Sequence, residues 1–593
     1  MHGWTGKIAR IDLTLRKIDV QPLPPDTCTR YLGGRGMGGL FLQPAATLDW
    51  DHPDVPLCLF TGPLTATAAP TSGRCHMVSV SPLTGLMADA SLGGKIGVQL
   101  KRAGWDGIVI TGKSNEPVGI DIKDNHITLV SAKNLWGMTT DAVHQYLNPK
   151  KAALACIGPA GENRVGFAAV ITDRHHAAGR TGLGMCLGAK NLKYMLVSGT
   201  GRTRVKHPEQ LKTARQDICR LTAASPALMG RYGFSRMGTG AMYDLMDNRH
   251  MMPTDNFAAT WFGAAKDLNA AAYARAYSPK NHGCKGCHIL CKKIGTRTPA
   301  PATPAAGTAL PEFETMSHFT ALVGLEDIQL VTAANQRCNR LGMDTISAAV
   351  TLACFREITQ KDFTPASLLA LLDDIALDRG EGKALKKGAA AYARSMGQPD
   401  AAMAVKGLEL PAYDPRGAYG MALGFAMSTR GGCHLRAYPI SHEILRKPVA
   451  TDRFSFSGKA RIIKIAEDLN AVVDSLIACK FTFFAAGLEE YAKAFSAVTG
   501  QDVTAQDLLA AGERIYYNER IFNSCRGFDA RQDDLPARFF TRPGTGASQI
   551  RVPPIDRAAF LQAKAAYYSV RGLTPKGLPT RTKAEQLGIS WKT

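Results

Sequence analysis

The chain has 593 residues, 45% of them hydrophobic and 20% charged; this mixture excludes a disordered chain and is long enough for several domains and an enclosed cofactor. The formal net charge is +21, yet Lys and Arg are spread along the chain without a dense basic tract, a helix-turn-helix signature or an RNA-binding aromatic motif. No nucleic-acid partner is therefore expected, whereas an acidic protein or an anionic cofactor would suit the charge. No apolar stretch approaches the length of a bilayer span, the N-terminus lacks a secretory pattern, and the 14 Cys form no ladder of paired cysteines; we expect no membrane association and a cytoplasmic location.

Residues 1–205 are predicted to be strand-rich. β-type runs recur at Lys7–Leu13, Leu57–Thr61, Met77–Val80, Ile108–Thr111, Val118–Ile122, Val165–Ile171 and Tyr194–Val197, punctuated by Gly, Pro, Asn and Ser. Four glycine clusters carry a basic residue: Gly33–Gly39 with Arg35, Ser72-Gly73-Arg74, Gly93-Gly94-Lys95, and Gly179–Gly184 with Arg180 and Gly182. Glycine lets backbone N–H groups approach phosphate oxygens, and Arg grips them with a planar fork. None matches a P-loop or the full dinucleotide fingerprint, but four in one region point to a large phosphorylated cofactor. From residue 206 the pattern turns helical and Ala/Leu-rich. Thr364-Pro365 suits the start of a helix whose apolar face is Leu368, Leu369, Leu371, Leu372 and Ile375. A Pro/Ala/Thr tract, Thr296–Ala309, reads as an exposed extended loop, and a further boundary is expected near Leu408–Asp414. The expected domains are 1–205, 206–410 and 411–593.

Cys284, Cys287 and Cys291 stand in the run Cys-Lys-Gly-Cys-His-Ile-Leu-Cys. Two or three residues between thiolates let a loop wrap them around one iron–sulfur cluster; His288 inside the run keeps a three-Cys zinc site with a His open. Isolated cysteines such as Cys58, Cys156, Cys186 and Cys354 read as buried thiols. Cys479, in Asp474-Ser475-Leu476-Ile477-Ala478-Cys479, is either a remote fourth ligand or a buried helical thiol. Glu312 and Glu314 in Pro-Glu-Phe-Glu-Thr would point the same way from an extended segment, as an acid/base in an enclosed site or as a solvent-facing pair. His434, in Arg430-Gly431-Gly432-Cys433-His434, has backbone room for a ligand or is a structural histidine.

In chain order, Gly3–Lys7, the Gly-Gly-Arg-Gly segment, Thr61–Leu64, Arg74, Gly93–Lys95, Ile157–Asn163, Gly179–Lys193, the cysteine run, Glu312–Thr315, Leu341–Ser347, Arg430–His434 and Asp474–Cys479 together resemble the tungsten-containing aldehyde:ferredoxin oxidoreductase family. The resemblance implies an α+β fold, in which a β-rich N-terminal pterin-cofactor base domain is followed by two mostly helical domains. It implies tungsten (or molybdenum) held by two pterins whose phosphates a magnesium ion bridges, and a [4Fe-4S] cluster on Cys284, Cys287, Cys291 and Cys479. Arg74, Gly93, Gly94, Arg180, Gly182, Asn339, Asp344 and Asp474 become cofactor-binding candidates, and Glu314, Glu312 and His434 catalytic ones, with Glu314 the preferred acid/base. Asn339 stands where the family motif opens with Asp, and Ile477 where it has Gly; altered backbone geometry is expected near Cys479. The chain reads Glu326-Asp327-Ile328-Gln329 where some members bind a bridging iron, so no such iron is expected and the oligomeric state stays open. The implied reaction is oxidation of an aldehyde to a carboxylic acid, with electrons passing to ferredoxin or a ferredoxin-like subunit. Other carbonyl, hydroxy-acid or thioester substrates are the alternative within the family, and a non-catalytic iron–sulfur relay the alternative outside it.

Overall fold

The computed structural model describes residues 1–297, 307–547 and 549–591; residues 298–306, most of the expected proline-rich loop, lie outside them. Twelve strands occupy the first third of the chain. β1 (Lys7–Asp12), β2 (Lys17–Pro22), β3 (Leu57–Phe60), β4 (Cys75–Val80), β5 (Met87–Leu92) and β6 (Gly107–Thr111) form one sheet in the order β2-β1-β6-β3-β4-β5. β7 (Val118–Lys123), β8 (His126–Ser131), β9 (Ala153–Cys156), β10 (Val170–Thr172), β11 (His176–Ala178) and β12 (Leu192–Ser198) form a second in the order β11-β10-β9-β12-β7-β8. Each sheet is mixed: β1–β6 and β7–β12 run parallel and the other neighbours antiparallel.

Side-chain alternation decides what each face meets. Ala9, Ile11, Leu57, Leu59, Ile108 and Ile110 pack toward the second sheet, against Ile120, Ala155 and Met195. The intervening Ile8, Cys58, Phe60 and Val109 face the other way. That outer face is covered by the helices Gly34–Leu42, Lys459–Leu476 and Ala505–Cys525, through Met37, Val472 and Ile515. The C-terminal part of the chain thus lies directly on the N-terminal sheet.

Most expected strands form, with two differences. Of Val165–Ile171 only the end enters β10 (Val170–Thr172); Ala169 donates its N–H to the Gly342 carbonyl, so that stretch pairs outside the sheet. Five strands, β2, β5, β8, β9 and β11, were not expected: β2 and β8 have mostly solvated side chains without apolar alternation, whereas β5, β9 and β11 are rich in small residues such as Ala that carry little strand signal. The Gly33–Gly39 cluster forms the buried start of the helix Gly34–Leu42. In the helical region, Thr364 caps Pro365–Leu377 by accepting from the Ser367 N–H, with Leu368, Leu371, Leu372 and Ile375 buried. Leu408–Asp414 is buried rather than an exposed linker, and residues before and after it share one apolar core running from Ala160 to Ile589. The partition at 205 and 410 is kept as a proposal. No described helix is long and apolar enough to cross a membrane.

Candidate active site

A cavity of about 1800 Å³ opens between the N-terminal base and the helical regions. Its wall includes Arg74, Gly93, Cys284, Cys287, Cys291, Glu312, Glu314, Asn339, Asp344, His434 and Cys479. Residues chosen from seven separated stretches of sequence therefore meet at one place. Gly94, Arg180, Gly182 and Asp474 are not on this wall.

The glycine clusters do something other than bare phosphate binding: they make room for the two cysteine-bearing arms. A Cβ on Gly73 would lie 2.0 Å from the Lys285 carbonyl oxygen, and one on Gly93 would lie 2.8 Å from Cys284 Sγ. The Lys285 N–H donates to the Gly94 carbonyl. On the other arm, a Cβ on Gly34 would meet the Asp474 carbonyl at 2.2 Å, and one on Gly62 the Leu476 carbonyl at 2.7 Å. Gly94 and Gly182 hold φ of +88° and +77°, the left-handed region glycine favours. Gly94 abuts Asp173 and Gly182 abuts Gly166 and Pro82.

Ile477 ends the helix Lys459–Leu476 at φ +65°, ψ +32°, in the left-handed region that a branched Cβ disfavours. Its side chain is buried against Gly34 and Gly62.

Burial pushes the Cys287 and Cys291 thiols up and that of Cys479 to about 11. Arg74 stands among them, its Nη1 3.5 Å from Cys284 Sγ. Burial opposes its charge, but Cys284, Cys479 and Cys291 together raise it. Among the described residues, no three of these sulfurs, nor two of them with His288, lie within 4.8 Å of one another. Thiolates around one tetrahedral zinc would sit only about 3.8 Å apart, given Zn–S bonds of about 2.3 Å. The wider set fits a cluster better than a single ion.

Glu312 and Glu314 diverge. The expected extended segment is instead a helix N-terminus: Glu312 precedes Phe313–Ser317 and Glu314 lies in its first turn. Glu312 pairs with Lys292 at 2.7 Å and accepts from Thr239; burial works against its charge, but Lys292 brings its carboxyl below the usual range. Glu314 accepts from the Ala412 N–H at 2.7 Å through Oε2, and burial lifts it to about 7. Its Oε1 lies 3.4 Å from His434 Nε2. Burial, then Arg180 and Arg430, hold His434 well below its ordinary value, so the ring is neutral. Three buried atoms here lack a hydrogen-bond partner: Glu314 Oε1, His434 Nδ1 and Arg180 Nε. Such atoms fit a polar ligand occupying the cavity.

The remaining candidates are partly spent on structure. Asp344 caps the helix Thr345–Thr359 by accepting from Ile346 and Ser347, with Arg180 Nε 3.7 Å away. Arg180 also donates to the Gly432 and Glu409 carbonyls. Asn339 donates to the Asn335 carbonyl. Asp474 pairs with Lys480 at 2.7 Å, and Lys480 is itself on the wall. Sequence reasoning missed Tyr413 and Tyr438, whose hydroxyls lie 2.9 Å apart beside the His434 ring. Tyr413 sits within the segment read as a boundary, and no motif marked either residue. It also missed a buried charge network: Arg35 grips Glu519 at 2.5 and 2.8 Å, while Arg436, Arg430 and His76 converge on Asp89. His76, Asp89 and Asp474 could crowd around a cation, but Arg436, Arg430, Arg35 and Lys480 already balance these carboxylates.

Thiols from two arms, a neutral imidazole and a carboxyl of raised pKa thus line one cavity, and the matches to known proteins make the protein an oxidoreductase. The family model described as "Aldehyde ferredoxin oxidoreductase, N-terminal domain" matches residues 8–199, and that described as "Aldehyde ferredoxin oxidoreductase, domains 2 & 3" matches residues 213–589. The "Tungsten-containing aldehyde ferredoxin oxidoreductase" of Pyrococcus furiosus is 35% identical, covering 100% of both chains. An "Aliphatic sulfonate oxidoreductase, WOR-like subunit" of the same organism is 26% identical over 99% of this chain and 97% of its own. Among solved structures, the "Active site complex BamBC of Benzoyl Coenzyme A reductase in complex with 1,5 Dienoyl-CoA" superposes with a TM-score of 0.83 at 20% identity, covering 99% of this chain and 97% of that one; it shares the fold. The chain belongs to the aldehyde ferredoxin oxidoreductase family.

Proposed function

We propose that this protein oxidises an aldehyde and water to a carboxylic acid, releasing two electrons and two protons, the electrons passing singly to an acidic ferredoxin or ferredoxin-like subunit. The observation that carries the reading is the convergence of Cys284, Cys287, Cys291 and Cys479 with Glu314 and His434 on one cavity. When bound, tungsten (or molybdenum) between two pterins supplies two-electron chemistry, and a [4Fe-4S] cluster the one-electron outlet. The four cysteines would hold the cluster. Arg74, on the same wall as the thiols and 3.5 Å from Cys284 Sγ, would hold pterin phosphate, with magnesium as a further counter-charge. Gly93, Asn339 and Asp344 would line the pterins; Gly94, Arg180, Gly182 and Asp474 would support them from behind the wall.

Glu314, poised near neutrality, accepts the proton of the attacking water. His434, kept neutral, offers a ring N–H to the aldehyde oxygen as negative charge develops there. Glu312 is engaged by Lys292 and Thr239 and serves to position this turn. Tyr413, Tyr438, Phe481 and Phe484 on the wall favour an uncharged substrate body. The test is elemental analysis of anaerobically purified protein beside a viologen-linked aldehyde screen. About four irons and one tungsten or molybdenum per chain, with aldehyde-dependent dye reduction, is the expected result. Metal-replete protein that ignores every aldehyde would overturn the substrate but leave the cofactor. The second reading, another carbonyl, hydroxy-acid or thioester substrate, draws on Asn339 at the wall and on the differently named relative at 26% identity. Iron without tungsten or molybdenum would point to a relay alone.

A further inference from the structure

The loop that carries three of the thiols also reaches solvent. Cys284, Cys287 and Cys291 are each partly exposed. Lys285 and Gly286, between the first two, are exposed, and a Cβ on Gly286 would meet none of the described residues within 4 Å. Electron tunnelling falls steeply with distance, so a carrier gains by docking here.

The charge around the tip is of one sign. From Lys280 to Arg297 the chain carries Lys280, Lys285, Lys292, Lys293 and Arg297 and no Asp or Glu. Lys292 and Lys293 are turned inward, Lys292 to Glu312 and Lys293 to backbone carbonyls, whereas Lys280 and Lys285 are exposed. One other segment adds to them. Lys95 is exposed and follows the Gly94 whose carbonyl takes the Lys285 N–H. Asp173, the acid beside it, accepts from the Lys95 N–H.

We propose that Lys95, Lys280 and Lys285 form the docking face for an acidic one-electron carrier protein, seated on the Lys285–Gly286 tip. The inference rests on the proposed cluster but not on the substrate. Complementary charge at a rim speeds encounter and makes it sensitive to salt.

The experiment uses the metal-replete protein, a small bacterial-type ferredoxin of net negative charge, and a viologen dye. Lys285→Glu and the double variant with Lys95→Glu are compared with Lys383→Glu, an equal charge change on the exposed side of the helix Gly382–Leu385. At low salt the double variant should lose at least about tenfold in kcat/KM for ferredoxin and much of its salt dependence, keeping dye-linked turnover within about twofold; Lys383→Glu should change neither. Lys285→Arg should restore the wild-type behaviour. Ferredoxin binding is titrated separately by fluorescence, so that the face is tested even if no aldehyde turns over. Unchanged ferredoxin affinity and salt slope in the double variant, or an equal loss in Lys383→Glu, would overturn the proposal; loss of dye turnover in the wild-type protein would instead count against the proposed reaction.

Discussion

Glu312 and Glu314 are two residues apart and have opposite ionisation behaviour, and neighbours alone make the difference. Lys292 faces the first, while the second accepts from a backbone N–H at 2.7 Å, has a neutral imidazole 3.4 Å away and, among the described residues, no cation paired with it, and is buried. Environments that push two carboxyls apart mark acid/base assignments. Glu314→Gln should therefore retain iron and tungsten and lose turnover by roughly a hundredfold or more; wild-type rates would remove Glu314 from the mechanism. Because Glu314 must be ionised to act as base and titrates at about 7, kcat should rise with pH through neutrality. The same shift has the opposite effect on stability. A carboxyl raised from its ordinary 4.5 contributes stability that is full below that value and lost as pH rises through about 7. A pH series of unfolding should show that loss in the wild type and a flatter curve in Glu314→Gln. At this scale the sequence was partly legible: motif order brought Glu314, His434 and the four cysteines into view. The divergence of the two glutamates was hidden, because an extended segment and a helix N-terminus have the same local letters. Tyr413 and Tyr438 were hidden because their roles come from each other.

Short elements carry the centre by fitting into gaps. The cysteine loop closes onto Gly73 and Gly93, and the end of the helix Lys459–Leu476 onto Gly34 and Gly62. Gly73→Ala would drive a methyl into the Lys285 carbonyl, at about 1–3 kcal/mol of overpacking; the variant should purify folded with most of its iron lost. Gly286→Ala, which meets open space, should keep its iron and lose only the about 1–2 kcal/mol of left-handed backbone, its φ being +76°. Equal iron content in the two variants would contradict the seating role. The glycines were visible in the sequence as clusters, but what filled the space beside them was not: the occupants of Gly73 and Gly34 lie more than two hundred residues further along. The same limit explains the strands. β1 and β3 announce themselves by alternation between two buried faces, whereas β2 and β8 lie at solvent edges where selection for apolar residues is absent.

Across the whole molecule, the sheet and the C-terminal helices are joined by buried charge. Arg35 and Asp89 from the N-terminal region meet Glu519 and Arg436 from the C-terminal one. Glu519→Gln leaves Arg35 and Arg436 poorly matched and should destabilise the protein by about 3–5 kcal/mol, measured by denaturant unfolding. Burial opposes their charge, but Arg436 holds Asp89, and Arg35 holds Glu519, below the usual carboxylate range. Groups of depressed pKa contribute stability above their ordinary values and lose it as pH falls through the folded ones. The interface should accordingly loosen in acid, and Glu519→Gln should weaken that dependence; a variant as acid-sensitive as the wild type would remove the network from the account.

The receptor surfaces around Gly34, Gly62, Gly73 and Gly93 precede everything they receive. In chain order the glycine gaps come first, the three-thiol loop next and Cys479 last. The proposed cluster would therefore wait for its fourth sulfur until nearly the entire chain had been made.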